Sequence, residues 1–290
     1  MLSFREVTLS DITSIKEFFK NAASQSCDVT FGNLFLWQQQ FSQRVCIYKD
    51  TLFLRYGEEY LFPIGALSVK ESIELLMLEA KERNVPFKMK LLTEKQCELL
   101  KENFPNRFSF KHDLNNSDYI YTTENMITLS GKKYHSKRNH ISKFDRMYNW
   151  EYESISVQNI VQCIEMNKKW DSENDYNDEN LIREKVALKL AFEHFLELGL
   201  VGGVLKVDGE VVAYSIGEAI NETTFCTHFE KALSDFEGAY AKMNNLFSKN
   251  ELSSYEFINR EEDMGIEGLR KAKSSYNPTY ILNKYSATLI

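Results

Sequence analysis

At 290 residues with 43% hydrophobic content, the chain is long enough for one large domain or two of ordinary size, each with a core of its own. A formal net charge of -7 argues against a general nucleic-acid coat and leaves only a local basic patch as a candidate for holding phosphate. With 12 Gly and 4 Pro there is no long flexible linker, and no stretch reads as disordered.

The first twenty residues carry Arg5, Glu6, Asp11, Lys16 and Glu17 among apolar residues, which is wrong for an export signal. Ser10-Asp11 before Ile12, Ile15, Phe18 and Phe19 reads as a capped amphipathic helix. The block Asp28 to Trp37, with Phe31, Leu34 and Phe35, reads as a buried helical segment rather than a ligand-binding box. Val45 to Arg55 is a hairpin turning at Lys49-Asp50, and Glu58 to Phe62 a third strand. A helix over Val69 to Arg83, a strand over Phe87 to Leu92, a helix over Glu94 to Asn103 and strands near Phe108 and Tyr119 follow.

The second half runs through the same order. Val157 to Lys169 and Leu181 to Leu198 read as helices, and the charges within Val186 to Leu205 exclude a membrane span. Val201 to Val207 and Val211 to Glu218 form a hairpin through Asp208-Gly209, and Thr224 to Glu230 the next strand. Gly238 to Ser248 is a helix, Tyr255 to Asn259 a strand, Ile266 to Tyr276 a helix and Thr279 to Tyr285 a last strand. The repetition predicts an α+β fold of two tandem lobes, 1–125 and 126–290, each a mixed, mainly antiparallel sheet flanked by helices in the manner of GCN5-related N-acetyltransferases.

A basic helix over 132–148 links the lobes. It carries Lys132, Lys133, Lys137, Arg138, Lys143 and Arg146 against one acid, Asp145. Arg138 falls inside the stripe of Tyr134, Ile141, Phe144 and Tyr148 and is expected to aim inward; a surface helix with snorkelling basic side chains is the alternative. Further on, the acids Glu261, Glu262 and Asp263 lead into a helix on which Arg270 and Lys273 are neighbours. Such a like-charged pair costs roughly 0.2–0.5 kcal/mol unless an anion answers it, and that anion is either one of those acids or a ligand. Five widely spaced cysteines, Cys27, Cys46, Cys97, Cys163 and Cys226, show no zinc spacing and read as reduced thiols in a cytoplasmic protein.

Four phrases in this order carry a family resemblance: Asp28-Val-Thr-Phe with Asn33 and Trp37; Ser117-Asp-Tyr-Ile-Tyr121; Gly131 to Phe144; and Ile258 to Pro278. Together they resemble the phosphatidylglycerol lysyltransferase C-terminal-like family, whose tandem fold is similar to that of the Fem peptidyltransferases. The resemblance implies transfer of an amino acid from aminoacyl-tRNA to an amine or hydroxyl acceptor, a small molecule or a lipid head group. The lipid-modifying members carry a transmembrane part for which this sequence has no candidate.

Such chemistry needs a base, a donor for the carbonyl oxyanion and a cradle for nearby phosphates. The candidate catalytic residues are Glu230, Glu261, Asp263 and Tyr276. Arg138, Lys137, Arg270 and Lys273 are candidates for the donor's phosphate, and His228, Tyr240, Asn245 and Arg260 for substrate. Strand alternation places His228 on the same side as Glu230. Arg138, Glu230, Glu261, Asp263, Arg270 and Lys273 are expected to face one cavity. Acetyl-coenzyme A is the alternative donor, but Glu237-Gly-Ala-Tyr240 supplies one glycine, beside Asp235 and Glu237, where a pyrophosphate loop needs several and a basic lead residue. A non-catalytic binding protein on the same fold is the third reading. No permanently bound cofactor or metal is expected.

Overall fold

The computed structural model describes residues 2–174 and 178–290. In chain order it begins with α1 (Ile12–Asn21), α2 (Phe31–Trp37), β1 (Gln43–Tyr48), β2 (Thr51–Tyr56), β3 (Glu59–Tyr60) and β4 (Ile64–Gly65). Then come α3 (Val69–Glu82), β5 (Lys88–Thr93), α4 (Glu94–Asn103) and β6 (Phe108–His112). The middle of the chain contributes β7 (Asp118–Thr122), α5 (Thr123–Thr128), α6 (His135–Met147), β8 (Trp150–Ser154), α7 (Ile160–Ser172), α8 (Glu179–Glu193) and α9 (Phe195–Leu198). It ends with β9 (Val201–Val207), β10 (Glu210–Ala219), β11 (Thr224–Ala232), α10 (Ala239–Asn250), β12 (Phe257–Asn259), α11 (Glu267–Ser274), β13 (Tyr280–Leu282) and β14 (Lys284–Leu289).

These elements form two compact units, each with one mixed sheet. The first comprises Met1–Asp118, Glu262–Arg270 and Ile281–Ile290, the second Tyr119–Glu261 and Lys271–Tyr280. A boundary at 125/126 would give the whole C-terminal segment to the second lobe. The interleaving has a simple cause: the run read as one strand over Thr279 to Tyr285 is two strands, and β14 pairs antiparallel with both β5 and β6.

The first sheet has the order β1-β2-β3-β5-β14-β6, with β4 against β2. Its hairpin turns where expected, with Lys49 and Asp50 both at positive φ, the mirror-image turn that matches strand twist. α4 starts where the sequence places it because Thr93 and Gln96 form a reciprocal capping box. Phe53, Tyr60, Ile73, Leu76, Met89 and Leu100 meet in the core of this unit.

In the second sheet the order is β13-β7-β12-β11-β10-β9-β8. β8 was not legible as a strand; it pairs antiparallel with β9 over Trp150 to Ser154. β9, β10 and β11 form an antiparallel meander, and β11 then runs parallel to β12. Among the described residues no helix is long and apolar enough to cross a membrane.

Candidate active site

The parallel pair β11 and β12 is joined only over Thr224–Cys226 and Phe257–Asn259. Past that point β12 ends while β11 continues to Ala232, so the strands part and the side chains beyond the fork meet in the opening. Arg260, the first residue after β12, places Nε 2.9 Å and Nη2 2.5 Å from Glu230 Oε2. Asn244 of α10 donates to the other oxygen of Glu230 at 2.9 Å. The guanidinium lies 4.8 Å from the ring centre of Tyr276 and 5.6 Å from that of Tyr121. Lys137 of α6 brings Nζ to 3.8 Å from the Tyr276 ring centre.

The electrostatics follow from that packing. Burial, reinforced by the Arg260 charge and only partly countered by Glu230, lowers the Lys137 amine to about 8. Burial raises the Tyr276 phenol to about 12 despite Arg260, so the phenol keeps its proton. Burial works against the Arg260 charge as well, yet Glu230 together with Tyr121 and Tyr276 outweighs it and holds the guanidinium protonated. Arg260 Nη1 and Asn244 Oδ1 are buried and have no hydrogen-bond partner among the described residues. Buried polar atoms are normally hydrogen-bonded, so this donor and acceptor beside an ion pair can each take one further bond, to water or to a bound molecule.

His228 belongs to a different set of contacts. Ile216 pairs with Phe229 and Gly217 with Thr227, so His228 is the extra residue of a β-bulge on β11. Gly217 is required opposite it: a Cβ there would lie 1.9 Å from the Cys226 carbonyl oxygen. The bulge breaks the alternation that would set His228 beside Glu230. Its Nδ1 is 2.7 Å from Glu261 Oε1 and its Nε2 3.2 Å from Glu218 Oε1. Although burial opposes the charged ring, Cys226 and the two flanking carboxylates raise the His228 pKa well above its ordinary value.

The first unit contains a buried charge cluster that the sequence reading missed. Lys284, 1% exposed, sets Nζ 2.6 Å from Asp28 Oδ2, 2.7 Å from Asp118 Oδ1 and 3.4 Å from Cys27 Sγ. Asp28 and Asp118 both stand in the phrases that carry the family resemblance; Lys284, near the end of an ordinary-looking strand, had no local signal.

The remaining candidates disperse. Arg270 makes a bidentate pair with buried Asp263, at 2.8 Å on each oxygen, and reaches Asn115 at 2.8 Å, so the anion that answers it is internal. Lys273 donates to the Arg260 carbonyl at 2.5 Å. Arg138, expected to aim into a site, donates instead to the carbonyls of Leu129 and Gly131 after the C-terminus of α5. Its neighbour Lys137 is the side chain that reaches the Arg260 cluster. Asn245 spends both amide hydrogens on the carbonyls of Met126 and Ile127, at 2.8 and 2.7 Å. Tyr240 is half exposed on the first turn of α10. The six charged residues expected to share one cavity are thus divided among separate sets of partners. Glu230, Arg260, Tyr276 and Lys137 do come together, joined by Tyr121 and Asn244, which the sequence reading did not single out.

The start of α10 is where a coenzyme A pyrophosphate would be cradled on a fold of this kind. Gly238 caps it at φ +92, and a Cβ there would sit 2.6 Å from the His140 carbonyl oxygen of α6. Lys143 of α6 pairs with Glu237 beside it. The helix end is therefore covered by α6 and flanked by an acid.

One mixed sheet per unit, helices on its faces and a polar cluster at the forked strands of the second sheet define a tandem GCN5-related acetyltransferase-like fold. The family model described as phosphatidylglycerol lysyltransferase, C-terminal, matches residues 19–288, and the chain belongs to that family. A crystal structure of a conserved protein of unknown function from Bacteroides thetaiotaomicron is 37% identical, covers 100% of both chains and superposes with a TM-score of 0.95. L-PGS from Bacillus licheniformis, 15% identical, covers 98% of this chain and 92% of its own with a TM-score of 0.67. FemX, 9% identical, covers 99% and 97% with a TM-score of 0.60, a likeness of fold. A curated relative, the uncharacterized protein MYCGA3080 of Mycoplasmoides gallisepticum, is 24% identical over 180 residues; the match spans 60% of this chain and 56% of that protein. Family membership relates the chain to the C-terminal part of phosphatidylglycerol lysyltransferase, and the likeness to FemX is one of fold.

Proposed function

We propose that the chain transfers an aminoacyl group from aminoacyl-tRNA to an amine or hydroxyl acceptor at the fork of β11 and β12. The observation that carries this reading is the cluster of Glu230, Arg260, Tyr276 and Lys137, with the unpartnered Arg260 Nη1 and Asn244 Oδ1 beside it. Lys137, neutral in an appreciable fraction near pH 8, takes the proton of the attacking amine or hydroxyl. The acceptor atom bonds to the ester carbonyl carbon, and Arg260 Nη1 donates to the oxyanion that forms. The bond from that carbon to the ribose oxygen then breaks, and the proton held by Lys137 passes to the departing ribose hydroxyl. Glu230 keeps Arg260 charged and oriented, and Asn244 Oδ1 accepts from the donor's α-ammonium.

The covered start of α10, with Glu237 beside it, supports a tRNA ester over a coenzyme A thioester. Binding separates the two. Charged tRNA should bind with an affinity that falls steeply as salt rises, because several cations must displace counterions from the phosphates. Coenzyme A should leave the melting temperature unchanged. A thermal shift with coenzyme A and none with tRNA would replace this reading by acetyl transfer; silence from both would leave a binding protein on an acyltransferase fold.

A further inference from the structure

Cys226, His228 and Glu261 present three different metal-ligating atoms to one point, and the mechanism proposed above uses none of them. Their ligand atoms lie within 4.8 Å of one another. Cys226 Sγ is 3.6 Å from His228 Nδ1 and 3.6 Å from Glu261 Oε1, and Nδ1 is 2.7 Å from Oε1. Bond lengths of about 2.0–2.3 Å in a tetrahedral zinc site put sulfur roughly 3.5 Å from nitrogen or oxygen, and nitrogen roughly 3.3 Å from oxygen. Two of the three separations already have those values. The third, now a hydrogen bond, opens by about half an ångström if the Glu261 side chain turns, and that side chain is the outermost of the three at 19% exposure.

The far side of the ring is built as metal-bound histidines require. Nε2 is held by Glu218, 2% exposed, at 3.2 Å, an arrangement that fixes the tautomer and leaves Nδ1 to the ion. Cys226 and His228, two apart on one strand, share a face, and Gly217 gives the backbone room at the bulge.

We propose that Cys226, His228 and Glu261 bind one borderline-soft divalent cation of the zinc class, with Glu218 orienting the histidine and water in the fourth position. Metal binding displaces whatever protons the ligating sulfur and Nδ1 carry, and the Nε2 proton stays on the ring, donated to Glu218. The other candidate group, Cys27, Asp118 and Glu262, lies in the first unit, where the Lys284 ammonium already stands at Asp118 and Cys27. That group takes no ion.

The test uses the full chain stripped with a chelator and dialysed against Zn2+ or Co2+. One equivalent of zinc by elemental analysis and a thiolate-to-cobalt charge-transfer band in the near ultraviolet are expected. Cys226→Ser should abolish the band while Cys27→Ser and Cys97→Ser retain it, and Glu218→Gln should weaken zinc about tenfold to a hundredfold. No uptake, uptake without the sulfur band, or a band lost in Cys27→Ser but kept in Cys226→Ser overturns the proposal. If Cys226→Ser does not fold, the spectrum of the wild-type protein decides: the sulfur band supports the site, and its absence overturns it.

Discussion

Two lysines, one in each unit, show how opposite surroundings push the pKa of the same side chain in opposite directions. Lys284 is buried among Asp28, Asp118 and Cys27, and although burial alone would lower its pKa, the two carboxylates raise it well above the ordinary value. Lys137 loses water as well, but the charge that acts on it most is another cation, Arg260, and its pKa falls to about 8. The first amine is held charged by partners that satisfy it. The second has its pKa brought down towards neutral pH beside an ion pair with a spare donor, as the proposed role of proton carrier requires.

Removing Lys284 should produce the largest effect. Lys284→Met leaves two buried carboxylates without their cation, and breaking a buried pair from one side costs about 3–5 kcal/mol. Urea unfolding of the full chain at neutral pH measures it. The loss should shrink as pH falls and the stranded acids take up protons; a variant as stable as the wild type at pH 7 would refute the bracing role. Asp118→Asn sharpens the same point. Asp28 still pairs with the ammonium, but the Cys27 amide, which donates to Asp118 at 3.0 Å, would face an uncharged acceptor. The expected cost is smaller, about 1–3 kcal/mol. Equal losses in the two variants would mean that the pair with Asp118 carries the whole cluster.

How much of this contrast could be read beforehand depends on how local its causes are. The hairpins at Lys49-Asp50 and Asp208-Gly209 and the bounds of α4 were legible because their signals lie within four residues: turn residues that tolerate positive φ, and a capping box. The break between β13 and β14 was not, because it depends on which neighbours each half finds, β7 for one and β5 with β6 for the other. Residue type singled out Glu230, Arg260 and Tyr276, which the fork of two strands brings together. Helical periodicity singled out Arg138 as the inward-aimed residue, and that failed because a stripe of apolar residues says nothing about carbonyls left open at the end of α5; Lys137, also a candidate, is the one that reaches the cluster. The bulge at His228 is a register event between two strands, and no property of the single strand announces it.

The variant expected to lose no stability, and the one that most directly tests the comparison, is at Lys137. Its charged form is disfavoured in the fold, so Lys137→Met should raise stability at pH 7, the opposite sign to Lys284→Met. The sign with pH distinguishes it from Lys284. Between about 8 and the ordinary 10.5, folded Lys137 binds fewer protons than unfolded, so its contribution makes stability rise with pH across that window, and Lys137→Met should flatten the rise. Lys284, with a raised folded pKa, contributes stability that is full below 10.5 and is lost as pH climbs through its higher folded value. Carbon-13 NMR of the labelled lysines reads both at once: one resonance titrating near 8, set by burial, Arg260 and Glu230, and one that stays protonated to the alkaline limit of the fold. A Lys137 resonance titrating near 10.5 would remove the base from the proposed mechanism and leave Lys284 as the more perturbed of the two amines.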